Sequence, residues 1–79
     1  MKLELFGFET CPFCKLVRAE IAAQGRDDVI EYDIYKDDAA YNRLVTVGGK
    51  EQCPCLFVDD KPLYESSEII KFLKDHPKA

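Results

Sequence analysis

The sequence predicts a single α/β domain in which strands and helices follow the order β-α-β-α-β-β-α over 79 residues. Three observations predict it. An apolar N-terminal run leads at once into an amphipathic stretch and then into an alternating one, which is a βαβ unit of the usual length, about 30 residues. A second amphipathic stretch follows, and a hairpin pattern with a last helix closes the chain. The whole of 1–79 is expected to be one domain, because a chain this short cannot divide its apolar residues between two cores.

Residues 2–8, "KLELFGF", are apolar on both alternating faces, as in a central strand covered on both sides. In "CPFCKLVRAEIAAQG", Phe13, Val17 and Ile21 recur four apart, with Leu16 beside them. Pro12 suits the first helical position and Gly25 the stop. "VIEYDI", Val29 to Ile34, sets Ile30, Tyr32 and Ile34 on one strand face and Glu31 and Asp33 on the other. Asp37 or Asp38 is expected to cap a second helix that turns Tyr41, Leu44 and Val45 inward and stops at Gly48-Gly49. Two short strands, Leu56–Val58 and Pro62–Tyr64, flank the turn Asp59-Asp60-Lys61, with Pro62 marking an edge. Ser66 is expected to cap a last helix whose Ile69, Ile70 and Leu73 face inward and which Pro77 ends.

Composition narrows the function. Hydrophobic residues make up 47% and charged residues 33%, as in a folded soluble domain. A net charge of -4 offers no basic face for nucleic acid. No apolar run is long enough for a membrane span, and "MKLELFGFE" lacks the pattern of a signal peptide, so a cytosolic protein is expected. In a reducing cytosol four cysteines point to catalysis or metal binding rather than to structural disulfides. His76, near a helix end, and the pairs Asp27-Asp28, Asp37-Asp38 and Asp59-Asp60 are expected at the surface.

Cys11-Pro12-Phe13-Cys14 carries the chemistry. A cysteine attacks as thiolate, and a helix start stabilises that anion through free N–H groups and aligned peptide dipoles. Cys-x-x-Cys sites at helix starts titrate at roughly 3.5–7.5 against about 8.5 for a free thiol, so Cys11 is expected to be ionised, helped by Lys15. Cys14, one turn on, can resolve a mixed disulfide formed at Cys11. A fixed structural disulfide is the bland alternative, but so short a loop constrains few unfolded conformations. Cys11, Cys14, Cys53 and Cys55 together form a second alternative, a four-thiolate zinc or iron–sulfur site. Cys55 enters a core strand and reads as packing, whereas Cys53 reads either as a small buried hydrophobe or as an accessory thiol.

In motif and element order the chain resembles the glutaredoxins, small members of the thioredoxin-fold family, over nearly its whole length. "CPFC" is similar to the family's "CPYC", and Cys53-Pro54 before the third strand resembles "TVP", whose proline is cis. "ESSEI", Glu65 to Ile69, is similar to the segment that holds the γ-glutamyl end of glutathione. The resemblance implies a four-stranded mixed sheet with three helices in a thioredoxin-like fold. It also implies glutathione as reductant, bound by Cys11, Phe13, Cys53, Pro54, Glu65, Ser66 and Ser67, with no resident metal. Physically, Cys53 would offer backbone groups to a peptide-like ligand, and N–H groups at Ser66 and Ser67 would meet a carboxylate while Glu65 meets an ammonium. Many glutaredoxins carry a lysine where this chain has Glu9, and Lys50 is the candidate substitute.

The expected activity is that of a monomeric thiol–disulfide oxidoreductase. Its partners would be glutathione and disulfide-containing or glutathionylated proteins. The alternative on the same fold is a redoxin reduced by thioredoxin reductase, an electron donor of the kind that serves ribonucleotide reductase.

Overall fold

The computed structural model describes residues 1–77. Its elements are β1 (Leu3–Gly7), α1 (Pro12–Ala23), β2 (Val29–Asp33), α2 (Asp38–Val47), β3 (Cys55–Val58), β4 (Lys61–Tyr64) and α3 (Ser66–Asp75). The four strands form one mixed sheet in the order β2-β1-β3-β4. β1 runs parallel to β2 and antiparallel to β3, and β4 returns antiparallel to β3. This is the thioredoxin-like α/β architecture expected from the sequence. No helix among the described residues is long and apolar enough to cross a membrane.

Side-chain alternation along the two central strands builds a core on each face. Leu3, Leu5 and Leu56 pack with Val17 and Ile21 of α1 and with Ile69 and Leu73 of α3. Phe6, Cys55 and Phe57 pack on the other face with Ala40 and Leu44 of α2 and with Ile34. Each buried leucine, isoleucine or phenylalanine contributes about 1.5–3 kcal/mol, so these two layers hold the sheet between its helices.

Four sequence expectations are corrected here. The α1 stripe is Cys14, Val17 and Ile21, while Leu16 stays exposed on the helix flank. Ile30 is 47% exposed rather than core, because β2 is an edge strand and no helix covers that position. Ser66 is the first residue of α3 and not its cap; Glu65 occupies the cap position, at φ 71°, without a side-chain capping bond. Asp37 does cap α2, its carboxylate accepting the Ala40 N–H at 3.1 Å. The hairpin turn is only Asp59-Asp60, both at positive φ, the geometry that matches the twist of paired strands. Pro62 lies on the edge strand, where its missing N–H disturbs least.

Polar residues also take deeper roles than the sequence suggests. Glu4, in the middle of β1, is fully buried. Its carboxylate accepts from Arg43 Nη2 at 2.7 Å and from Tyr32 O–H at 3.1 Å, and Arg43 Nη1 also donates to it. Asp60 holds the other side of Arg43, whose guanidinium lies 5.1 Å from the Phe57 ring centre. Asp28 forms a two-point pair with the buried Arg26, which also donates to the Leu73 carbonyl at 2.9 Å and so ties the end of α1 to α3. These aspartates are structural ion-pair partners rather than solvated caps. His76, by contrast, is exposed as expected and stacks on Phe72.

Candidate functional site

β1 ends in Gly7, and the loop that follows delivers Cys11 to the N-cap of α1. The Cys11 backbone is extended (φ -72°, ψ 115°), and its sulfur accepts the Cys14 N–H at 3.2 Å. Pro12 takes the first helical position, as expected from its fixed φ. Cys14 therefore lies one turn below Cys11, fully buried, and Cys11 itself is only 3% exposed.

Cys53 is the third cysteine of interest. It immediately precedes Pro54 across a cis peptide bond and is half-buried. All three cysteines are free thiols.

This packing changes the expected electrostatics. Burial, together with the hydrogen bond to the Cys14 thiol, holds Cys11 above the ordinary cysteine range, and the N–H groups of Cys14 and Phe13 offset this only in part. The expectation of an ionised Cys11 is thus corrected: the helix start is present, but the sulfur has lost its water. Cys14 is raised by donating to Cys53 and by burial. Cys53 is lowered because it receives that hydrogen bond, against the opposing effect of burial. Burial pushes Cys55 up to about 11. It packs on the α2 face of the sheet with Phe6 and Phe57, and Cys53 packs against the same cluster. Among the described residues, no group of three or more His, Cys, Asp or Glu is arranged to hold a metal ion.

A groove of about 230 Å³ beside the thiols is lined by Phe13, Gln52, Cys53, Pro54, Glu65 and Ser66. It gathers five of the residues that the sequence assigns to ligand binding, from α1, from the turn before β3 and from the start of α3. Phe13 is 57% exposed at its rim. Ser67 is exposed at the start of α3 but does not line the groove. The Cys53 N–H and C=O make no backbone hydrogen bond to the described residues, which leaves them available to a peptide-like ligand. Gln52 was not among the expected binding residues; its amide donates to Glu65 Oε1 at 3.1 Å and links two walls of the groove.

Lys50 does not line the groove. Its ammonium lies 5.3 Å from the ring centre of Tyr64. The cations beside Glu9 are instead Lys36, 3.6 Å from its carboxylate, and Arg18, which donates to its carbonyl at 3.4 Å. Lys15 is exposed on α1.

Gly7 is a site residue that the sequence reading passed over. A Cβ built there would lie 2.8 Å from Cys14 Sγ and 3.3 Å from Cys14 Cβ. Only glycine lets the buried Cys14 side chain sit this close to the end of β1. An isolated glycine within a strand pattern is the signal that such a close approach leaves in a sequence.

The family model described as Glutaredoxin matches residues 3–63. Among solved structures, the thioredoxin-like protein BC3987 is 26% identical, with a TM-score of 0.78 over 94% of this chain and 97% of that one. Glutathione transferase Omega 3C from Trametes versicolor is 18% identical, with a TM-score of 0.80; the match covers all of this chain and 36% of that one. A dithiolic glutaredoxin from Trypanosoma brucei brucei is 18% identical, with a TM-score of 0.69 over 94% of this chain and 77% of that one. At such identities the last two likenesses concern the fold alone. No curated protein gives a significant sequence match.

Proposed function

Because the chain belongs to the glutaredoxin family, a family of thiol–disulfide oxidoreductases, we propose that it reduces glutathione mixed disulfides and protein disulfides with glutathione as the reductant. The observation that carries this reading is the groove. Phe13, Cys53, Pro54, Glu65 and Ser66 meet beside the Cys11–Cys14 pair, with Cys53 backbone groups that make no backbone hydrogen bond among the described residues and a helix start at Ser66. Glutathione is a γ-linked tripeptide. Its cysteinyl backbone would pair with Cys53, its γ-glutamyl carboxylate would meet the α3 N–H groups, and its ammonium would meet Glu65.

Cys11, as thiolate, attacks the glutathione sulfur of a mixed disulfide. The Cys11–glutathione disulfide forms, and the substrate thiolate leaves and takes up a proton. A second glutathione thiolate then attacks the glutathione sulfur, releasing oxidised glutathione and regenerating Cys11. With a protein disulfide, Cys11 binds one substrate sulfur and Cys14 attacks Cys11, which expels the substrate thiolate and leaves the Cys11–Cys14 disulfide. Two glutathione molecules then reduce it.

Glu9 favours a second reading on the same fold, reduction by thioredoxin reductase, since a carboxylate stands where a glutathione-binding lysine is common in the family. Reduction of a small mixed disulfide separates the two, assayed first with glutathione and glutathione reductase and then with thioredoxin reductase. Turnover in the first system is expected. Turnover only in the second would overturn the glutathione assignment.

A further inference from the structure

The protein-disulfide route asks Cys14 to attack as thiolate, yet Cys14 is fully buried, and burial disfavours the ionised form. A cation stands one helical turn along the same face of α1. Arg18 follows Cys14 by four residues, the spacing that makes side chains of a helix neighbours. Arg18 Nη1 lies 3.9 Å, and Cys14 Sγ 2.8 Å, from one point, the place that a Gly7 Cβ would take. The guanidinium and the sulfur are therefore no more than about 7 Å apart, a distance at which opposite charges inside a protein still attract strongly.

The charge on Arg18 is also uncommitted. Arg18 is half-buried and, with Gly7, lines a cavity of about 390 Å³, which gives its side chain room to follow a charge that develops on Cys14. Its Nη2 donates to the Glu9 carbonyl, a neutral acceptor, at 3.4 Å. The carboxylates around the cavity are those of Glu9, Glu31 and Asp33. Glu9 lies 3.6 Å from Lys36, and Asp33 accepts the Tyr35 N–H at 2.9 Å. Among the described residues none of the three forms an ion pair with Arg18.

From this arrangement we infer that Arg18 is the positioning residue of the second step, its charge stabilising Cys14 as the thiolate that attacks the mixed disulfide at Cys11. Cys14 gives its proton to solvent, and its thiolate attacks the Cys11 sulfur. The Cys11–Cys14 bond forms, the bond from Cys11 to the substrate sulfur breaks, and the electron pair leaves on the substrate thiolate, which takes a proton from solvent. One disulfide is consumed and one is made, so no outside oxidant or reductant enters. The first attack, by Cys11, does not use Arg18. The inference rests on reading Cys11 and Cys14 as the attacking and resolving thiols.

The test times the second step by itself. The reduced full-length chain is mixed with glutathione disulfide, raised until the rate of Cys11–Cys14 formation no longer depends on it, then quenched in acid and mapped by mass spectrometry after pepsin, so that exchange stops with the thiolates. The same reaction at low glutathione disulfide times the first step. Arg18→Gln keeps a donor for the Glu9 carbonyl but no charge, and Arg18→Met keeps only the stem. Both are expected to convert the Cys11–glutathione mixed disulfide about tenfold more slowly at neutral pH, the effect of one pKa unit, while forming it at the parent rate. Arg18→Lys should restore conversion. Conversion at the parent rate in the neutral variants would overturn the inference, as would slowing that Arg18→Lys shares or equal slowing of both steps. Cys14→Ser should hold the mixed disulfide unconverted. Conversion there would overturn the roles of the two cysteines, and the inference with them, by a result that no Arg18 variant can give.

Discussion

The Cys14 N–H points at the Cys11 sulfur from 3.2 Å, yet Cys11 is buried and its thiol is held above the ordinary range. Two effects of the same helix start oppose each other: the N–H stabilises the thiolate, and the packing that brings it close strips water from the sulfur. A raised value means less thiolate at neutral pH and a rate that grows as pH rises. Alkylation of Cys11 by iodoacetamide, followed by mass spectrometry, should therefore still be climbing at pH about 8.5, the ordinary cysteine midpoint. A plateau already reached below about pH 7 would show that the helix start outweighs burial.

Cys11 and Cys14 should separate cleanly by substrate if they act as attacking and resolving thiols. Cys11→Ser is expected to abolish every activity, because it removes the attacking sulfur and Cys14, the other sulfur of the first turn, is fully buried. Cys14→Ser should spare reduction of glutathione mixed disulfides, where free glutathione resolves the intermediate, and should lose the dithiol reduction of protein disulfides. Assaying both substrates with each variant checks this, and an active Cys11→Ser protein would reverse the assignment of roles.

Gly7→Ala tests the floor of the site. The new methyl group would lie 2.8 Å from Cys14 Sγ, so either the end of β1 or Cys14 must shift. Overpacking of this kind costs about 1–3 kcal/mol, and in a domain this small each kcal/mol lowers Tm by roughly 4–8 °C. Calorimetry should show that drop, accompanied by a selective loss of the dithiol reaction. An unchanged Tm and an unchanged dithiol rate would mean that Cys14 has room the structure does not show.

The strands, the helices and the thiol motif were legible because each rests on local pattern. Val17 and Ile21 recur at helical spacing, Pro12 marks a helix start, and Gly25 ends α1 at positive φ. Ile30 misled because alternation says which residues share a face but not whether a helix covers that face; coverage depends on strand order. The burial of Glu4 was not legible, because its partner Arg43 is 39 residues away. The cluster of Cys11, Cys14 and Cys53 was only half legible. The spacing of the first two declares their contact, whereas the place of Cys53 in the groove wall depends on how the turn before β3 packs.

Glu65→Gly separates the carboxylate from the backbone beneath it. Glu65 sits at φ 71°, a conformation that glycine adopts without strain, so the variant should fold at least as stably as the parent. It removes the oxygen that accepts the Gln52 amide and that would face the glutathione ammonium. KM for glutathione should rise about tenfold, equivalent to 1.4 kcal/mol, with kcat little changed, the pattern of a lost binding contact. A fall in kcat at constant KM would instead place Glu65 in the chemical step.

Glu4 and Arg43 predict how stability depends on pH. The hydrogen bonds from Arg43, more than those from Tyr32, hold the Glu4 carboxyl below its usual value against the effect of burial. A group lowered on folding contributes stability that is complete above its unfolded value, about 4.3, and is lost as pH falls through its folded value. Urea midpoints of the unaltered protein should therefore drop in that acid range. Arg43→Met leaves the carboxylate buried beside Tyr32, with Lys2 3.8 Å away as its remaining cation, and should cost about 3 kcal/mol at neutral pH. With burial no longer outweighed, the Glu4 value should rise above its unfolded one, so that this variant gains stability from Glu4 as pH falls from 7 toward 5. Parallel pH profiles for the two proteins would show that Arg43 does not set the charge of Glu4.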